Sequence, residues 1–451
     1  MKRSEGLGTE PIDKLLAQQA IPAGIGILIL SIYGIVDTIF VGRWIGTMAI
    51  GAITVVVPIS FLLASIGMAI GVGGASIISR ALGAGDVKRA SQAFGNQVIL
   101  TLIFSSLFLV LGLIFMEPIL EIFGGKGEIL PLAKQYFLIV LLGTPFLSVA
   151  MMSNNVIRAL GAPKYAMVVM IVPAVANLIL DPIFIAWFEW GIQGAAWATT
   201  LAYIFSAIYA VLFFRKEHEI KLTSSDYVPN LEITKEIFSI GGVTLARQGS
   251  VSLMSIVLNN GLFAYGGELG IATFGIIRNL SMFANFPVLG VTQGFLPIAG
   301  YNYGSKHYIR VKETIKKAIL YGTGLASIIF LVIMMTAYSI PRIFTEDVAL
   351  VEASGPAIQL VFLATPLLTI QLIGSAYYQA IGRALPALFL SLLKQGIFLI
   401  PLILLLPLSF GMWGIWMAFP IADMLTAIVN YIFLKKATKE LAIQKVQTEF
   451  T

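Results

Sequence analysis

Six ionisable residues interrupt stretches of sequence that are otherwise apolar: Asp37, Asp181, Arg247, Arg278, Lys394 and Asp423. A charge in a hydrocarbon layer costs several kcal/mol, so each is a functional candidate by default. Asp37 lies six residues before Arg43, Asp181 eight before Glu189, and Thr199 eight after Gly191. Taking those partners as the outer ends of three helices, a rise of about 1.5 Å per residue puts all three side chains about 9–12 Å below one surface. Asn177 precedes Asp181 by four, which sets both on one helix face. Two carboxylates, an amide and a hydroxyl at one level are hard oxygen ligands that suit Na⁺. Two carboxylates withdrawn from water beside each other also suit uptake of H⁺. The competing reading is a static hydrogen-bonding network. The first half has no intramembrane Lys or Arg to neutralise the pair.

Lys394 and Asp423 fall near the mid-depth of their own apolar stretches, and an ion pair between them is expected. Alternatively they line a substrate path. Pro22, Pro173 and Pro182 each remove a backbone donor from an apolar stretch, as a hinge or a fixed bend requires.

The elements that must hold these residues are set by composition. Only 12% of the 451 residues are charged and 58% are hydrophobic, with a mean hydropathy of +0.91. Soluble domains carry roughly 25% charge. The chain reads as an all-α polytopic membrane protein. A bilayer-crossing helix needs about 20 apolar residues, and twelve such spans are expected: roughly 17–42, 48–79, 96–116, 133–160, 165–187, 192–214, 238–263, 270–299, 318–340, 353–381, 385–407 and 411–434. The segment through Lys14 lacks the features of a cleaved signal peptide, so the first apolar stretch is read as a true span. Most of the 29 Lys and Arg residues, among them Lys2, Arg80, Arg89, Arg215, Arg310 and Lys435, fall at the termini or in loops after even-numbered spans. Both termini are therefore expected in the cytoplasm, with the chain in the cytoplasmic (inner) membrane. The net charge of +6 follows from that topology and from contact with anionic lipid, not from nucleic-acid binding.

Several chemistries are excluded. With no Cys, and His218 and His307 the only histidines, Cys and His-rich metal sites are absent. No phosphate-binding loop and no HExxH metalloprotease motif occur. The contexts of Asp37 and Asp181 do not match intramembrane aspartyl proteases, and no enzyme activity is expected. The glycines at 67, 71, 73 and 74 lie inside a span and read as close helix packing rather than a dinucleotide loop.

The chain is also duplicated. Gly46, Gly73, Gly83, Arg89, Thr144, Pro145 and Gly161 find the same residues 221 positions later, at Gly267, Gly294, Gly304, Arg310, Thr365, Pro366 and Gly382. Further on the offset is 220, pairing Gly191 and Gly194 with Gly411 and Gly414. Six spans per copy give two like-oriented lobes related by a pseudo-two-fold axis along the membrane normal. The expected divisions are an N-terminal lobe over 1–220, a cytoplasmic linker over 221–237, a C-terminal lobe over 238–434 and a cytoplasmic tail over 435–451. The second copy acts as a natural mutant of the first. Asp37 faces Leu258, Asp181 faces Leu402 or Pro401, Asn177 faces Phe398 or Ile397, and Thr199 faces Phe419. Scaffold is shared, and the acidic chemistry is confined to the first half.

Four segments carry a family resemblance: Ile35-Val36-Asp37-Thr38-Ile39-Phe40-Val41-Gly42, Arg80-Ala81-Leu82-Gly83-Ala84-Gly85-Asp86, Asn154-Asn155-Val156-Ile157-Arg158-Ala159-Leu160-Gly161 and Asn177-Leu178-Ile179-Leu180-Asp181-Pro182. Over about residues 12–435 the chain resembles multidrug and toxic compound extrusion (MATE) transporters of the DinF-like branch. The resemblance implies two six-helix lobes in a V around a central cavity, with export of organic, often cationic or amphipathic drugs driven by H⁺ or Na⁺ and no other cofactor. It implies an N-lobe cation site of Asp37, Asn177, Asp181 and Thr199. Asn154 would help line the cavity, Tyr33 and Pro22 would serve bending of the first helix, and Arg278 would face the cavity. The NorM branch carries an acid in its seventh helix, whereas the seventh span here has Arg247 and Gln248 and no acid. A functional monomer in contact with lipid is expected. The alternative reading is a lipid-linked oligosaccharide flippase on a related scaffold, with Arg247, Arg278 and Lys394 attracting pyrophosphate.

Overall fold

Long apolar runs with few internal helix breakers give long helices, and the first half contains six of them. They are α1 (Ile12–Trp44), α2 (Thr47–Gly83), α3 (Val87–Ile114), α4 (Ile129–Ala159), α5 (Pro163–Asp181) and α6 (Gly191–Lys216). This computed structural model describes residues 3–216 and 219–449. Lys2 of the expected basic set, Glu217 and His218 of the connection between copies, and the last two residues of the tail lie outside the described residues. In the second half one helical run, Leu231–Gly304, is 74 residues long. Straight, it would extend about 110 Å, against a hydrocarbon layer of about 30 Å. It is broken at Gly267 (φ 58°, ψ −150°), a conformation essentially restricted to glycine. We call the part before Gly267 α7 and the part after it α8. Gly46, its repeat partner, has φ 115° at the turn between α1 and α2. Then follow α9 (Tyr308–Thr336), α10 (Val348–Ala380), α11 (Ala384–Phe410) and α12 (Met412–Glu449). Among the described residues eleven apolar helical runs are long enough to cross a membrane. The break at Gly267 makes twelve passes of them.

Helix starts follow local capping. The Asp86 carboxylate accepts from the Arg89 N–H at 2.9 Å to open α3. The Asp347 carboxylate accepts from Ala349 N–H at 2.9 Å to open α10, and Pro163 stands in the first turn of α5. Large apolar side chains such as Phe61, Ile114, Leu331 and Met335 are exposed. On a protein in water such surfaces would drive aggregation; on a polytopic membrane protein they need no covering element.

Contacts divide the chain into two units, and the division does not follow the expected lobe boundary. Unit 1 holds Ile25–Thr244 together with the residues before Leu7; unit 2 holds Leu7–Gly24 and everything from Leu245 onward. The expected linker over 221–237 is also shorter, because α7 starts at Leu231. There the Asn230 side chain accepts from the Glu232 and Ile233 N–H groups at 2.9 and 3.2 Å.

Small residues explain the exchange. In unit 1 a methyl on Gly73 of α2 would collide with the Ile237 carbonyl of α7, and one on Gly241 of α7 would collide with the Ala69 carbonyl of α2. Arg80 and Arg89 close this contact on Glu236 at 2.7 and 3.1 Å. In unit 2 a methyl on Gly290 or Gly294 of α8 would likewise collide with the backbone of α1 at Ala20 and Gly24, though less severely. Lys317 and Tyr321 hold Asp13 at 2.6 and 2.5 Å. Gly73 and Gly294 are repeat partners, as are Ala69 and Gly290, and Ala20 and Gly241. The two contacts are thus one packing arrangement used twice.

Within unit 1, α4 is the central pillar. Phe137, Val140 and Leu141 of α4 are buried with Val56 of α2 and Ala196 of α6. Gly67 and Gly71 let α2 approach the α4 backbone at Ser148 and Met152, as the glycine run requires. Unit 2 has its own core, built from Leu258, Leu262, Ile277, Ile358, Phe362, Ile415 and Trp416.

Candidate cation-coupling site

Unit 1 gathers Asp37 from α1, Asn177 and Asp181 from α5, and Thr199 from α6. Asn177, Asp181 and Thr199 are 0%, 1% and 4% exposed, and Asp37 is half-buried. The carboxyl groups of Asp37 and Asp181 lie within hydrogen-bonding reach of each other. A carboxyl–carboxyl hydrogen bond needs a proton on one of the two. The Asn177 side chain fixes the back of the site. Its NH₂ donates to the Asp181 carboxylate, and its carbonyl accepts from the Thr199 hydroxyl at 3.1 Å and the Thr199 N–H at 3.2 Å. The opposite amide orientation would set a carbonyl oxygen against the carboxylate. Thr199 Oγ1 also lies 3.0 Å from the Ala195 carbonyl. Among the described residues no Lys or Arg pairs with either acid.

Three tyrosines surround the pair. Tyr33 of α1, Tyr136 of α4 and Tyr203 of α6 lie within electrostatic range of Asp37, and Tyr136 is also close to Thr199. Tyr33 is expected from the sequence; Tyr136 and Tyr203 are not. Tyr203 could have been found, because it follows Thr199 by four and shares its helix face. Tyr136 lies on α4, which carries none of the acids, so helix-face spacing does not link it to them.

Backbone irregularity starts beside the site. Pro182 has no N–H for the carbonyl four residues back, and Pro182–Trp187 continues α5 as a π-helical turn, a feature frequent at functional sites. The other expected residues sit elsewhere. Pro22 is buried in α1 but within Leu7–Gly24, which packs in unit 2. The Asn154 amide donates to the Ala166 carbonyl at 2.6 Å and is spent on holding α4 to α5. Arg278 belongs to unit 2.

Unit 2 replaces the acids by packing. Leu258, at the Asp37 position, is fully buried in the apolar core, and Phe419, at the Thr199 position, packs against it. The expected ion pair is present: Lys394 Nζ lies 2.6 Å from the Asp423 carboxylate. The Gln371 amide donates to the same carboxylate at 3.0 Å. Lys394 sits in a π-helical stretch, Leu393–Leu399. Beside this pair a cavity of about 310 Å³ is lined by Arg278, Asn285 and Gln395 and by Phe274, Phe362 and Phe419.

The sequence profile of the MatE family matches residues 22–183 and 245–405, one stretch in each repeat copy. The chain belongs to the MatE family. It therefore has the all-helical, polytopic membrane fold of MATE transporters, which are not enzymes. The chain is 29% identical over 429 residues to the multidrug export protein MepA of Staphylococcus aureus (strain MRSA252), covering 94% of each chain. A crystal structure of MATE in the bent conformation superposes with a TM-score of 0.93 at 25% identity, over 99% of both chains. The outward-facing structure of a multidrug resistance MATE family transporter of the MOP superfamily gives 0.91 at 25% identity, over 97% of this chain and 98% of that one.

Proposed function

We propose that this MatE protein is a cation-driven multidrug exporter. It expels organic, often cationic or amphipathic compounds by alternating access, and Asp37, Asp181, Asn177 and Thr199 of unit 1 bind the coupling cation. The observation that carries this reading is the adjacent carboxyl pair of half-buried Asp37 and buried Asp181, set beside an amide and a hydroxyl and, among the described residues, lacking a cationic partner. A static network would serve equally well in unit 2, yet unit 2 folds with Leu258 and Phe419 at those positions. Two carboxyls withdrawn from water side by side suit uptake of H⁺. Na⁺ competes for the same oxygens, and to bind it the Asn177 carbonyl must turn from Thr199. Export by the MepA relatives supports a drug as cargo. The protein works as a monomer in the cytoplasmic membrane, with both termini inside.

Binding a cation at the pair changes the balance between two arrangements only if one of them binds it better. Removing a carboxylate removes that difference without removing the drug path. The test is ethidium accumulation in bacterial cells lacking their own efflux pumps. Expression should lower accumulation, and collapsing the ion gradients should restore it. Accumulation unaffected by expression would reject drug export. Of the three cations on which the flippase reading rests, Arg247, Arg278 and Lys394, one is paired: Lys394 lies 2.6 Å from the Asp423 carboxylate.

A further inference from the structure

Unit 2 holds a cavity that cation coupling does not use. We propose that it binds an amphipathic organic anion, an aromatic body carrying one carboxylate, with Arg278 as the counter-ion. The site is separate from the acids of unit 1 and stands whether or not those acids couple transport.

The charge count around the cavity is decisive. Lys394 and Asp423 face it as a pair 2.6 Å apart, and Gln371 holds the carboxylate from behind at 3.0 Å. They contribute no net charge. Arg278 lines the same cavity, and among the described residues no carboxylate pairs with it. It lies eleven residues past the turn at Gly267, about 16 Å along α8. Its guanidinium is exposed, and its planar donor fork matches a carboxylate. Asn285 and Gln395 add amide donors. The remaining wall is apolar, with Phe274, Phe362 and Phe419 suited to an aromatic ring. A volume of about 310 Å³ lies at the lower end of ligand pockets.

The repeat makes the polarity specific to unit 2. The partner of Arg278 in unit 1 is Val57, that of Lys394 is Pro173 or Ala174, and that of Asp423 is Tyr203. Of the six ionisable residues in apolar stretches, unit 1 carries the two acids Asp37 and Asp181, and unit 2 carries the three cations Arg247, Arg278 and Lys394 with the one acid Asp423.

Calorimetric titration of the protein in lipid nanodiscs tests the proposal with three probes of one aromatic body: 2-naphthoate, 2-naphthalenemethanol and 2-naphthylmethylammonium. The anion should bind about tenfold or more tighter than the alcohol, the scale of a charge-assisted hydrogen bond. Arg278→Gln should abolish that preference and Arg278→Lys should keep most of it. Phe419→Trp, which fills the cavity, should weaken naphthoate binding. Where Arg278→Gln does not fold, the Lys and Trp variants decide. Equal affinity for the three probes, preference for the ammonium, an undiminished anion preference in Arg278→Gln, or unchanged naphthoate binding in Phe419→Trp would each overturn it.

Discussion

Lys394 on α11 sets its ammonium 2.6 Å from the Asp423 carboxylate on α12. Removing one partner leaves a charge in a largely buried place, whereas removing both leaves an apolar contact. Lys394→Met is expected to lower stability by about 2 kcal/mol or more, and Lys394→Met with Asp423→Leu to recover most of the loss. Thermal unfolding in detergent, followed by tryptophan fluorescence, measures both. A single variant as stable as the parent would mean that the pair is not structural.

Gly73 has no room for a methyl. Gly73→Ala should cost about 1–3 kcal/mol, because the Ile237 backbone must move. Gly294→Ala should behave alike at the repeated contact with α1. Gly242 faces open space, so Gly242→Ala should be neutral or gain up to about 1 kcal/mol from helix propensity. If Gly73→Ala and Gly242→Ala melt together, the exchanged packing of α1 and α7 is looser than described.

Much of the fold was legible because a membrane allows few solutions. Apolar length gave the spans, and the repeat paired Gly46 with Gly267 at two equivalent turns. The site was legible as far as depth and helix face reach: Asp37, Asp181, Asn177 and Thr199 meet. Tyr136 joins them through the packing of α4, which no periodicity encodes. The exchange of Leu7–Gly24 and the start of α7 was hidden for a similar reason. It depends on Gly73 and Gly241 in one unit, and Gly290 and Gly294 in the other, meeting backbones far away in the chain. The Asn154 amide donates to the Ala166 carbonyl at 2.6 Å, a contact between α4 and α5 that spacing does not encode.

The turn at Gly267 gives a second glycine test. At φ 58° and ψ −150° an alanine is strained by about 1–3 kcal/mol. Gly275, on the following helix with nothing near it, is the control. Gly267→Ala should lower the melting midpoint and Gly275→Ala should not; equal midpoints would show that α7 and α8 can part elsewhere.

Thr199 is hydrogen-bonded to Asn177 of the site. Thr199→Val keeps the shape and removes the hydroxyl, the equivalent of one hydrogen bond of about 1 kcal/mol. The concentration of driving cation giving half-maximal efflux should rise about fivefold, with drug affinity unchanged. A parallel loss of drug affinity would place Thr199 in the drug path instead.

The most direct measurement drives drug transport in proteoliposomes with a proton gradient alone and then with a sodium gradient alone. The parent protein should respond to at least one. Asp37→Asn and Asp181→Asn should still bind ethidium yet respond to neither gradient. Undiminished gradient-driven transport in both variants would contradict a coupling site at the carboxyl pair of unit 1.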